Sequence, residues 1–189
     1  MTRPRRRRAA GPVMVALLLG SAALGGGGSQ EREATAGPCR ALKLPAGWDV
    51  RSSAYADVTG DGSPECVLSV WRPWADWPIA RWSSRPTPIK RNRDARGDSA
   101  HIAVLRPLPG GAFRNVWVGS ALFQPVTALA VLPDGTLATL ETTYARGRQA
   151  SSVALSLWHW TGFGFGLVQR RTVRATTLQV GADGVLVAR

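Results

Sequence analysis

Three Asp-Gly doublets, Asp61-Gly62, Asp134-Gly135 and Asp183-Gly184, each stand between two short apolar runs, and this recurrence constrains the fold more than any other feature of the chain. The first lies between Ala54-Tyr-Ala-Asp-Val58 and Val67-Leu-Ser-Val70, the second between Leu129-Ala-Val-Leu132 and Leu137-Ala-Thr-Leu140, the third between Leu178-Gln-Val180 and Val185-Leu-Val187. Asp-Gly between apolar runs is a hairpin signal, because glycine supplies the positive φ that a tight turn needs. The first interval exceeds the second, and the excess matches residues 73–97, a Pro-, Trp- and Arg-rich stretch with no strand pattern. Without it the repeat is about 48 to 49 residues long.

Apolar alternation punctuated by Gly, Pro and Asp predicts strands at 50–57, 66–72, 101–106, 113–118, 126–131, 136–143, 151–160, 163–171, 175–180 and 185–188. No segment sustains a 3.6-residue apolar period with caps, so the fold class is all-β. Four strands per period of this length is the size of a β-propeller blade. The expected architecture is a partial β-propeller-like array of about two and a half four-stranded blades. Within a β-repeat domain over 42–189, unit one spans 50–118 with the insertion 73–97, unit two spans 126–171, and 175–189 supplies a starting hairpin. A ring needs about four blades or more. The array is therefore expected to form an open fan or small sandwich with covered edges, or to assemble from several copies.

Ahead of this domain, Arg3 and Arg5 to Arg8 precede an apolar run over 11–24. The run is shorter than the roughly 20 residues that span a bilayer, so residues 1–30 read as a secretory signal peptide, with an N-terminal membrane segment as the alternative. Residues 31–41 read as a linker. An extracytoplasmic location, secreted or envelope-associated, follows. Loss of the leader removes five arginines and no acids, taking the net charge from +12 to +7. The excess is of arginine, since Lys43 and Lys90 are the only lysines. With an export signal and no recognised binding motif, nucleic acid is not an expected partner. Cys39 and Cys66 both lie in the exported part, where a single disulfide is the simplest pairing. Two histidines and two isolated cysteines match no zinc-ligand spacing.

Around the first doublet the sequence is Asp57-Val-Thr-Gly-Asp-Gly-Ser-Pro-Glu65. Side-chain oxygens at alternate positions on a sharply turned backbone converge on one point, which suits a hard cation such as calcium. The expected ligands are the side chains of Asp57, Thr59, Asp61 and Glu65 with the backbone carbonyl of Ser63. The competing reading is a turn shaped by Asp side chains bonding the backbone. The stretch Tyr55 to Val70 resembles the FG-GAP/VCBS-type repeats of integrin-like β-propellers, whose hairpin carries Asp-x-Asp/Asn-x-Asp-Gly-x-x-Asp before an apolar strand. Asp57, Asp61 and Gly62 match directly and Glu65 in type, while Thr59 replaces an Asp or Asn. The resemblance implies a calcium-binding hairpin in a degenerate, partial repeat array. The two later turns keep Asp-Gly and lose the other acids, so they are expected to hold no metal.

Two further places carry chemistry-bearing side chains. In the insertion, Trp74, Trp77 and Trp82 interleave with Arg81 and Arg85, a pattern suited to gripping a sugar or an anionic partner, or to packing over a sheet edge. Ser99 and His101 stand two apart, where a strand would place both on one face, as a nucleophile and base would require. No Gly-x-Ser-x-Gly elbow accompanies them. The expected function is a non-enzymatic, exported binding or envelope-interaction module with one calcium-stabilised hairpin, its partner a protein or polysaccharide. The alternatives are an extracytoplasmic hydrolase using Ser99 and His101, and a self-assembling structural unit.

Overall fold

Ten strands, and almost no helix, make up the regular structure of residues 37–74 and 92–189, the part of the chain that the computed structural model describes. They are β1 (Asp49–Ala56), β2 (Glu65–Pro73), β3 (Asp98–Pro107), β4 (Phe113–Val118), β5 (Val126–Val131), β6 (Leu137–Glu141), β7 (Ala154–Trp160), β8 (Phe165–Thr172), β9 (Leu178–Val180) and β10 (Leu186–Ala188). Each coincides with a stretch that sequence alternation predicts. The strands form three antiparallel sheets in chain order, β1-β2-β3-β4, β5-β6-β7-β8 and the hairpin β9-β10. The described residues close no barrel and no ring of blades.

The two four-stranded sheets share irregularities as well as topology. A bulge interrupts the first strand of each, at Arg51 in β1 and Thr127 in β5, and a second irregularity falls between the third and fourth strands of each. The first strands are also neighbours: β1 lies against β5, and β5 against β9. Ser52, just past its bulge, links the two sheets, accepting from the Leu129 N–H at 3.1 Å and donating to the Leu129 carbonyl at 3.4 Å. Bulges twist and re-aim a strand, which lets sheets splay while their inner strands stay close.

Because β2 and β6 are buried on both faces, each sheet needs cover on both sides. Three core layers supply it. Leu68, Val70 and Leu105 pack against the N-terminal segment at Cys39 and Leu42. Ala54, Val67, Ile102 and Val104 of the first sheet meet Leu129 and Leu137 of the second. On the far side, Leu140, Leu155 and Leu157 meet Leu178 and Leu186 of the terminal hairpin.

Arg148, in the connection from β6 to β7, ties the second sheet back to the first. Its guanidinium bonds Asp49 at 3.0 Å, Asp94 at 2.8 Å and Asp98, and lies over the Trp71 ring at 4.6 Å. Tyr144 meets the same indole edge-on at 5.4 Å. Burial works against the charge of Arg148, but the three carboxylates outweigh it and raise its pKa. At Asp94 burial is likewise outweighed, by the Arg148 bond and by backbone N–H groups, and its pKa falls below the ordinary value.

Cys39 and Cys66 form the expected disulfide, with Cα atoms 5.4 Å apart. It fastens the helical turn over 37–40 to β2, the most buried strand of the first sheet. Replacing both cysteines by serine is expected to lower the unfolding free energy by about 3 kcal/mol. Urea denaturation of the purified protein with and without the bond measures this.

Candidate functional site

The loop between β1 and β2 folds around a single carboxylate. Asp57 accepts N–H bonds from Gly60 at 2.7 Å, Asp61 at 3.2 Å and Gly62 at 2.8 Å. Gly60 and Gly62 take φ of 73° and 86°, left-handed values that favour glycine. Asp61 Oδ1 then accepts from the Ser63 N–H at 2.9 Å. The other two doublets repeat that last bond. Asp134 accepts from the Thr136 N–H at 2.9 Å and Asp183 from the Val185 N–H at 3.0 Å, with Gly135 and Gly184 at φ of 83° and 76°.

In the first hairpin the turn carboxylate has company. One oxygen from each of Asp57, Asp61 and Glu65 lies within 4.8 Å of the others. Glu65 opens β2 and is wholly buried, accepting from the Val58 N–H at 3.3 Å and from the Thr59 hydroxyl at 3.3 Å. The Thr59 hydroxyl is also 3.5 Å from Asp57 Oδ1. The structure thus brings Asp57, Thr59, Asp61 and Glu65 together, while Ser63 enters through its N–H.

Arg106 is the residue sequence reasoning missed. Its guanidinium donates to Asp61 Oδ2 at 2.7 Å and to Glu65 Oε1. The pairing Cys66↔Leu105 sets Arg106 opposite Glu65, one step further along the ladder. Its bond to Asp61, helped by the Ser63 N–H, holds the Asp61 carboxyl below its ordinary pKa, and the bonds to Glu65 first and Asp61 second raise the pKa of Arg106. In donor type the three carboxylates could hold a hard divalent cation, since each has about four lone-pair sites. Arg106 is a cation of the chain's own on two of the same carboxylates.

Beside the loop lies an open groove of about 420 Å³ edged by Asp61, Arg106, Arg114, Asn115 and Trp160. The Trp160 wall is braced edge-on by Trp117 at 6.1 Å and Phe165 at 5.3 Å. Of the insertion candidates, Trp74 is described: its backbone N–H donates to Gly97 at 2.9 Å, and the Arg93 guanidinium lies 5.3 Å from its ring. Trp77, Arg81, Trp82 and Arg85 lie outside the described residues, as does the stretch 1–30 that the sequence reads as a leader. No helix among the described residues is long and apolar enough to cross a membrane.

Ser99 and His101 do share a face of β3, and the Ser99 hydroxyl donates to His101 Nε2 at 2.7 Å. On the other side of the ring, Nδ1–H donates to the Gly119 carbonyl at 2.9 Å, so a peptide group orients the imidazole. Ser99 is 0% and His101 4% exposed, which places the pair inside the fold. Burial pushes the His101 pKa down to about 4. No protein-family model matches the chain, and no curated protein matches it either.

The His101 shift has a stability consequence. An unfolded histidine takes up its proton near 6.5, whereas folded His101 does so near 4, so between these values the unfolded chain binds more protons. Stability from this group is complete above about pH 6.5 and declines as pH falls toward 4, by on the order of 3 kcal/mol. Urea midpoints measured from pH 7 to pH 4 should show this loss, and His101→Gln should lack that part of it.

Proposed function

We propose that the protein is an exported, non-enzymatic binding module of the cell envelope, built as a partial propeller-like array and stapled at its first hairpin by calcium. The observation that carries the staple is the convergence of Asp57, Thr59, Asp61 and Glu65 on one turn, the only one of the three turns where acids gather. The array reading is supported by the matching bulges of the two sheets, by the line of first strands β1, β5 and β9, and by the identical Asp-Gly turn bonds. Calcium held by these oxygens supplies charge neutralisation at a turn where Arg106 answers two of the three acids, Asp61 and Glu65. The proposed ligand-binding segment is the insertion carrying Trp74, Trp77, Arg81, Trp82 and Arg85, and its ligand is a protein or polysaccharide of the envelope. The disulfide accords with an extracytoplasmic site of action.

The non-enzymatic reading rests on Ser99, whose hydroxyl is fully buried and bonded within the fold. The 2.7 Å Ser99–His101 bond is the one observation on the side of a hydrolase. A fluorogenic ester turned over by the wild type and not by Ser99→Ala would move the assignment to that class.

Calcium at millimolar concentration is expected to raise the melting temperature relative to chelator, and Asp61→Ala is expected to abolish the rise. Arg106→Gln should lower the melting temperature in chelator and enlarge the calcium-dependent rise, because the competing guanidinium is gone while the carboxylates remain. An equal response in wild type and Asp61→Ala would remove the staple from the proposal.

A further inference from the structure

The open groove beside the acidic hairpin carries a charge that the hairpin does not answer. Register across the first sheet sets three side chains in one row: Glu65 at the start of β2, Arg106 of β3 opposite it, and Arg114 of β4 opposite Arg106. Residues directly opposite in an antiparallel pair point to the same face, and like charges placed there repel. Outward from β2 the row therefore runs acid, base, base. Arg106 is engaged with the acids, bonding Glu65 and, at 2.7 Å, Asp61. Arg114 stands exposed on the edge strand and makes no ion pair among the described residues. The groove that it lines is where an anion would complete the row.

The aromatic wall of the groove is fixed in place. Trp160 ends β7, with Trp117 and Phe165 edge-on to it at 6.1 and 5.3 Å and to each other at 5.6 Å. Two glycines make room for Trp117. A Cβ at Gly119 would stand 2.6 Å from its indole and one at Gly164 3.3 Å, and Gly164 takes a φ of 150° that side chains disfavour. Trp160 is thus partly exposed but held by a packed trio, and preorganisation of this kind lowers the ordering cost of binding.

The groove measures about 420 Å³, and Thr59 and Asp61 line it together with the two arginines. The Asp61 side chain is half exposed and keeps lone pairs for hydroxyl donors beyond its bonds to Arg106 and the Ser63 N–H. One aromatic wall among charged and hydroxyl-bearing side chains suits a ligand that is polar except for a single flat apolar face. A pyranose ring answers that description, since its C–H face meets an indole and its hydroxyls meet the rest. A wholly apolar compound has nothing to cover its other side.

We propose that this groove binds an acidic saccharide, a sugar residue whose carboxylate pairs with Arg114, whose ring packs on Trp160 and whose hydroxyls reach Asp61. The planar guanidinium matches a carboxylate bidentately. The carboxylate sits at Arg114 and not at Arg106, because Asp61 and Glu65 repel it there. The site lies apart from the insertion and uses no calcium. It narrows the polysaccharide reading to an acidic polymer and rests on that reading for the source of the sugar alone.

Methyl glucuronide and methyl glucoside, which differ only at the carboxylate, are the probes, titrated in chelator into the purified, ¹⁵N-labelled protein. The Trp160 indole N–H resonance, assigned with a Trp160→Phe variant, reports occupancy. The glucuronide should shift it saturably and bind about tenfold more tightly than the glucoside. Arg114→Gln should bring the glucuronide down to the affinity of the glucoside without lowering the melting temperature, since it removes one of two opposed like charges. Arg174→Gln, which removes an equal charge from an exposed position outside the groove, should leave the preference intact. Absence of a saturable shift overturns the site. So does acetate binding as tightly as the glucuronide, which would mean an anion contact only, or an equal loss in Arg114→Gln and Arg174→Gln, which would mean diffuse attraction to a basic chain. Loss of binding in Trp77→Ala with Arg114→Gln unaffected also overturns it and moves the saccharide to the insertion.

Discussion

A four-stranded sheet whose central strand is buried on both faces cannot stand alone in water, and most of this architecture answers that constraint. β2 and β6 each bury nearly every residue. Burial of side chains of this size is worth about 1.5 to 3 kcal/mol each, so leaving either face of a sheet open forfeits several such contributions at once. Stacking the sheets covers one face of each. The outer face of the first sheet is covered by the segment that the disulfide holds at Cys66, and the outer face of the second by the β9–β10 hairpin. The hairpin, half a sheet by strand count, is large enough to serve as a lid.

The strands were legible because their signals are local. Alternation, near-continuous apolar runs and Gly, Pro or Asp punctuation are all read within ten residues. Where boundaries differ, a long-range bond is the cause. β3 begins at Asp98 and not at 101, because the ladder with β2 extends to Ala100, Ser99 and Asp98 opposite Trp71, Arg72 and Pro73. β7 and β9 begin later than alternation suggests, because Ser152 and Ala175 bond each other through N–H, carbonyl and hydroxyl ahead of both strands. The acidic turn was legible for the same reason as the strands, since its members are sequence neighbours. Arg106 and Arg148 were not, since each acts across a register or a connection that no local pattern encodes.

Arginine makes the clearest division between what composition says and what position says. As a count, the arginines give only a basic protein. In place, Arg106 answers two carboxylates of the first turn, Arg148 answers three at the seam of the two sheets, and Arg170 answers the buried Glu141. These three charges are thus engaged within the fold, where the planar, multi-donor guanidinium suits convergent acids better than an ammonium would. Ser99 and His101 make a parallel point. The hydrogen bond is the one a hydrolase would use, and burial turns the same pair into core polarity that must be satisfied.

The two ends of the stack are closed by different means. At the first sheet the cover is covalent, through Cys39–Cys66. At the far end the lid is held by packing and by the backbone bonds that Thr176 and Thr177 make to Arg189. A layered array fastened this way has a grain. The hairpin cover can lift without any covalent bond breaking, whereas the cover over β2 stays tethered by Cys39–Cys66 even when its packing loosens.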